Sequence, residues 1–161
     1  MEPDGEERED AGSMEVRMEW ALSTMRNLTG NHQVSIEQSV GTKGYVAMLE
    51  VHGTGDNRRH AVVSTPGDMW FSLDVDGGFS LDHFEEETSR QDVRQLIERY
   101  YEIAIAYVMN GARPADGRRM RTARHIEVAG EDVVLTLGVP QILRGALRSG
   151  LKALRRKGRP G

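Results

Sequence analysis

The residues able to do chemistry are few and scattered. Five histidines, His32, His52, His60, His83 and His125, stand singly and never at the i, i+4 spacing that places two imidazoles on one helical face around zinc. His52 and His60 flank the polar run Gly53–Arg59, so they can face each other across a hairpin and, with Asp56, form a weak metal site. Isolated strand histidines more commonly present a half-exposed ring with a polar edge to solvent. That reading is preferred, and neither a metal nor a cofactor is assigned. Asp74, Asp76 and Asp82 recur at even spacing like a calcium loop, yet Gly78 and Phe79 occupy positions where an EF-hand needs a ligand and a glycine. Glu98 and Glu102, one helical turn apart, fit solvated helix charge better than a catalytic carboxylate pair.

With no cysteine in the chain, thiolate catalysis, thiolate-bound zinc and iron–sulfur chemistry are excluded. Neither a strained G-x-S-x-G elbow nor a phosphate-cradling P-loop is present. The glycine-containing stretches at 41–44 and 53–56 read as hairpin turns, since no helix follows to offer its N-terminus to phosphate. The expectation is a protein that is not an enzyme and has no catalytic residue.

What remains is a surface for recognition. Acids concentrate at Asp74, Asp76, Asp82, Glu85, Glu86 and Glu87, interleaved with Trp70, Phe71 and Phe84. Aromatic anchors beside one sign of charge suit docking of a basic macromolecule, the aromatics supplying affinity and the charge speeding encounter. The assigned partner-binding residues are Trp70, Asp74, Asp76, Asp82, Phe84, Glu85 and Glu86. Trp70 and Phe71 are strand neighbours and point to opposite faces, so only one of them belongs to the core if the sheet is covered on one side.

The formal net charge of -4 conceals opposed ends: -5 over residues 1–10, +7 over 144–161, and -6 for the body between them. An acidic body argues against nucleic-acid binding, because nonspecific affinity comes from neutralising phosphates. Residues 1–12, nearly devoid of apolar side chains, are expected to be disordered, as are the basic residues 156–161. The acidic start is the reverse of a signal peptide, and no apolar run is long enough to span a bilayer, which predicts a soluble, cytoplasmic protein. A chain of 161 residues can bury about 70% of its unfolded surface, sufficient for one core without disulfides or metal, so 13–155 is read as one domain.

Periodicity supplies the elements. Met14, Met18, Ala21, Leu22, Met25 and Leu28 mark a helix over about 14–28, capped by Ser13. Short alternating segments separated by Gly- and Asp-rich turns follow from Val34 to Leu81, a spacing that permits only antiparallel neighbours. Thr88 or Ser89 opens a long helix with Asp92 completing a near capping box and Asn110-Gly111 ending it. Residues 124–128 and 132–137 form a second hairpin. Gln141–Arg159 is basic on one side and apolar on the other, a C-terminal helix over 140–156 that packs on the domain; membrane contact through it is a less favoured use. The predicted fold is α+β, an antiparallel meander sheet of about 5–7 strands with an N-terminal, a long central and a C-terminal helix.

The segment from His60 to Thr88, followed by Arg99-Tyr-Tyr-Glu-Ile-Ala-Ile-Ala-Tyr-Val-Met-Asn-Gly111, resembles actinobacterial immunity proteins of polymorphic toxin systems. In particular it resembles the antitoxin family paired with tuberculosis-necrotizing-toxin-type NAD glycohydrolases. The likeness spans residues 14–137 and rests on the Ser64–Asp68 turn, Trp70-Phe71, Gly77-Gly78-Phe79 and the helix end from Ala106-Tyr107 to Gly111. It implies a single α+β domain that binds a cognate protein toxin tightly and blocks its active site. No individual toxin-contacting residue follows from these motifs. A secretion-system chaperone or adaptor, docking through the long helix and the basic C-terminal helix, is the alternative.

Overall fold

A computed structural model describes residues 14–29, 35–44, 46–68, 70–84, 89–114 and 123–137. Helix α1 (Met14–Thr29) precedes strands β1 (Glu37–Lys43), β2 (Val46–His52), β3 (His60–Thr65), β4 (Trp70–Val75) and β5 (Phe79–Phe84). Helix α2 (Arg90–Asn110) then leads to β6 (Arg113–Pro114), β7 (Ala123–Val128) and β8 (Glu131–Leu137). The fold is α+β, and all eight strands join one antiparallel sheet in the order β1-β2-β3-β4-β5-β8-β7-β6.

The period-2 alternation of the strands decides which face is covered. Along β2, Ala47, Leu49 and Val51 are buried while Val46, Met48, Glu50 and His52 between them are half-exposed. Cross-strand register extends that row, with Leu49 opposite Val63, Val63 opposite Leu73 and Leu73 opposite Leu81. Trp20, Ala21 and Met25 of α1 join the same core as Val93, Ile97, Tyr100, Ala104 and Val108 of α2. Both helices therefore lie on one face of the sheet, and no helix or strand among the described residues covers the other.

Local chemistry fixes the long helix at both ends. The Ser89 hydroxyl accepts from the Asp92 backbone N–H at 3.2 Å, and the Asp92 carboxylate accepts from the Ser89 backbone N–H at 2.9 Å, completing the capping box. The Ser89 hydroxyl also donates to Asp92 Oδ2 at 2.6 Å, and this bond, followed by that from the Ser89 backbone N–H, holds the Asp92 carboxyl below the usual carboxylate range. At the far end, Asn57 Nδ2 donates to the Val108 carbonyl at 2.8 Å and Arg59 donates to the carbonyls of Val108 and Met109 at 3.2 and 3.3 Å. The loop between β2 and β3 thus supplies donors and a positive charge where the last helical turn has none of its own.

Three expectations are corrected. Among the described residues the sheet has eight strands rather than five to seven, because the two-residue β6 lies in what reads as a polar loop and is too short to show any alternation. The chain is also not a meander throughout: after α2 the last strand β8, not β6, pairs with β5. The stretch at 41–44 is not all turn, since Gly41, Thr42 and Lys43 belong to β1 and Lys43 pairs directly with Val46. The expected C-terminal helix, Ser13 as a cap and both expected disordered ends lie outside the described residues. No helix of the described residues is long and apolar enough to cross a membrane.

Three of the four tyrosines sit on α2 and are largely buried. Burial pushes Tyr101 up to about 12; it also pushes up Tyr107 to about 12, with Asp76 adding to the shift, and it carries Tyr100 above the ordinary phenol range. A raised folded-state value means that the neutral phenols contribute stability in full below about pH 10 and lose it as pH rises through about 12. Thermal melts are accordingly expected to drop steeply across that window. Phenolate absorbance from these three residues should appear together with loss of near-ultraviolet dichroism, and smooth titration at pH 10 with the fold intact would contradict this.

Candidate functional site

The sheet face opposite the two helices carries four of the seven predicted partner-binding residues. Trp70 opens β4 opposite Phe84, the last residue of β5, and their rings meet edge to face at 6.2 Å and 66°. Phe84 is 57% exposed, unusual for a phenylalanine and placed at the rim of the face rather than in the core. Next along the strands, the buried Ser72 hydroxyl lies 2.9 Å from both Asp74 Oδ2 and Asp82 Oδ1, and Ser80 donates to Asp82 Oδ2 at 3.3 Å. Small hydroxyls on β4 and β5 thereby tie down two carboxylates that would otherwise repel each other. The result is an aromatic pair adjoining two tethered carboxylates.

Trp70 is held by the turn that precedes it. Thr65 Oγ1 donates to the Trp70 carbonyl at 2.7 Å, Asp68 accepts from the Trp70 N–H at 3.0 Å, and Arg17 of α1 donates to the Gly67 carbonyl at 2.9 Å. Gly67 has φ +79 and stands so close to the Met14 carbonyl oxygen that an added Cβ would come within 2.5 Å of it. Only glycine fits there, which explains the Pro66-Gly67-Asp68 run in physical terms.

The remaining predicted residues separate. Asp76 belongs to a turn between β4 and β5, where its carboxylate accepts from the His60 backbone N–H at 2.8 Å and from the Tyr107 hydroxyl at 2.9 Å. It clamps β3 and α2 and is not part of the acidic patch, a correction to the sequence-based assignment. The reason is the adjoining glycines: Gly77 and Gly78 both take positive φ, so the even spacing that would have aligned Asp76 with Asp74 and Asp82 breaks at the turn. Asp76→Ala should destabilise the fold by about 1–3 kcal/mol through the two stranded donors while leaving partner affinity unchanged, measurable by urea unfolding beside a binding titration. Phe71 is 2% exposed and lies in the core, so it is not an anchor. Glu85 and Glu86 lie outside the described residues.

Glu98 and Glu102 are taken up by arginines, Glu98 by Arg94 at 2.8 Å and Glu102 by Arg99 at 3.3 Å. Tyr107 lines one surface hollow with Arg59, Asp76 and Arg124, and Tyr101 lines another, so the phenols with displaced ionisation do not converge. Neither a protein-family model, nor a curated protein, nor a solved structure matches this chain. Its site is therefore read from its own residues.

The sheet also joins side chains that the sequence left apart. His52 and His60 are direct cross-strand partners, with rings stacked at 4.3 Å and 17°. Their third neighbour is Glu50, two residues before His52 on the same face, and not Asp56, which lines a hollow with Arg59 and Asp76. Strand alternation could have identified Glu50, since residues i and i+2 share a face.

Proposed function

We propose that this protein is a non-catalytic binding protein whose sheet face opposite the two helices docks on a basic protein partner, and that the partner is a toxin whose active site it occludes. One observation carries the reading: a half-buried Trp70 packs against the exposed Phe84 beside the hydroxyl-tethered carboxylates Asp74 and Asp82, on the side of the sheet opposite both helices. Aromatic anchors in a partly apolar setting, flanked by charge of one sign, are the usual composition of an energetic centre in a protein interface. The resemblance of residues 14–137 to toxin immunity proteins supplies the class of partner. Inhibition of this kind requires only a standard interface of about 1,600 Å² placed over the partner's cleft.

The test is co-expression with the protein encoded beside its gene: protection of the host and a stable complex support the reading, and absence of both rejects it. Charge should act mainly on encounter. Asp74→Asn with Asp82→Asn keeps the serine hydrogen bonds and removes the charge, so it is expected to slow association about tenfold or more at low salt, by stopped-flow, with a smaller change in dissociation.

A further inference from the structure

We propose that Glu50, His52 and His60 form a binding site for a single zinc ion on the face of the β2–β3 hairpin opposite the helices. One donor atom from each residue lies within 4.8 Å of the others. His52 Nε2 stands 3.4 Å from Glu50 Oε2, an arrangement that an ion pair explains by itself. His60 is different. Its Nε2 is buried and has no hydrogen-bond partner, within a stacked pair whose other ring already engages the carboxylate. A buried imidazole nitrogen without a partner costs free energy comparable to a lost hydrogen bond, and such groups require a reason.

A cation supplies that reason. Two imidazoles and one carboxylate are a donor set suited to zinc, which takes nitrogen at about 2.0–2.1 Å and carboxylate oxygen at about 2.0–2.2 Å. Tetrahedral ligands at those lengths stand about 3.3 Å from one another, so the three donors need to close by at most about 1.5 Å, within reach of side-chain rotation. The backbone is already fixed: His52 and His60 are register partners, and Glu50 precedes His52 by one strand repeat. Ser39 of β1, opposite Glu50, donates to Glu50 Oε2 at 3.3 Å and orients the carboxylate from outside the coordination shell. Three protein ligands leave a fourth position for water. The inference does not rest on the proposed partner, since none of its ligands belongs to the aromatic and acidic patch.

The experiment uses the untagged full-length chain, stripped with a chelator and titrated with zinc by calorimetry, together with cobalt as a spectroscopic substitute. Binding of one equivalent, a tetrahedral cobalt spectrum and a zinc-dependent rise in melting temperature are expected. His60→Gln and Glu50→Gln should each weaken zinc by about tenfold or more and abolish the rise in melting temperature. If a variant fails to fold, nitrogen shifts of the His52 and His60 rings in the wild-type chain on zinc addition decide the matter. No binding, binding undiminished in the folded variants, or ring shifts confined to other histidines would overturn the proposal.

Discussion

Phe71→Ala is expected to remove about 3–5 kcal/mol of folding free energy, the range for deleting a fully buried aromatic ring from a packed core. Phe71 is 2% exposed and lies in the same cluster as Leu49, Leu73 and Ile97. Against a total stability of about 5–15 kcal/mol typical of a domain, this would leave the protein marginal or unfolded at growth temperature. Trp70, one residue earlier, provides the internal control. Its ring stands half-buried on the opposite face and packs edge to face on Phe84, so Trp70→Ala should cost less than Phe71→Ala. Guanidinium unfolding of the two variants reads the difference directly. Equal losses would mean that both faces of β4 are core, and Trp70 would not be available as an anchor.

The second large effect concerns binding and reverses the order of the two positions. Trp70→Ala and Phe84→Ala should each weaken the complex with the proposed partner by about 2 kcal/mol or more, roughly thirtyfold in Kd. The two rings touch, so their effects are not independent and the double variant should lose less than the sum. Both side chains are pre-positioned, Trp70 by the Thr65–Asp68 turn and Phe84 by strand pairing, so little ordering cost is incurred on association. Calorimetric titration of folded variants checks this. Unchanged affinity in both would remove the aromatic pair from the interface.

Much of the fold could be read in the sequence because its devices are local. Ser89 with Asp92, Asn110-Gly111 and the alternation of Ala47, Leu49 and Val51 each act within a few residues, and each appears where the pattern places it. What escaped reading was long-range. Nothing local distinguishes β8 from β6 as the neighbour of β5, and the pairing of Arg113-Pro114 with β7 has no periodic signature. The same division runs through the site. The opposite orientation of Trp70 and Phe71 follows from strand geometry alone, whereas Asp82 and Phe84 appear in a loop-like acidic run and are revealed as a continuation of β5 only by their pairing with Ser72 and Trp70. Charge counting groups Asp76 with its acidic neighbours because it ignores the reversal at Gly77-Gly78. Glu50 was overlooked beside His52 because a carboxylate on a half-buried strand looks like ordinary surface charge.

Side-chain footprinting of the complex with the protein encoded beside its gene tests the central claim most directly. Trp70 and Phe84 oxidation and carboxyl labelling of Asp74 and Asp82 should all fall on complex formation, while Glu15 of α1 and Glu98 of α2, on the opposite side of the molecule, stay as reactive as in the free protein. Protection of the helices with the four sheet residues left reactive would contradict it.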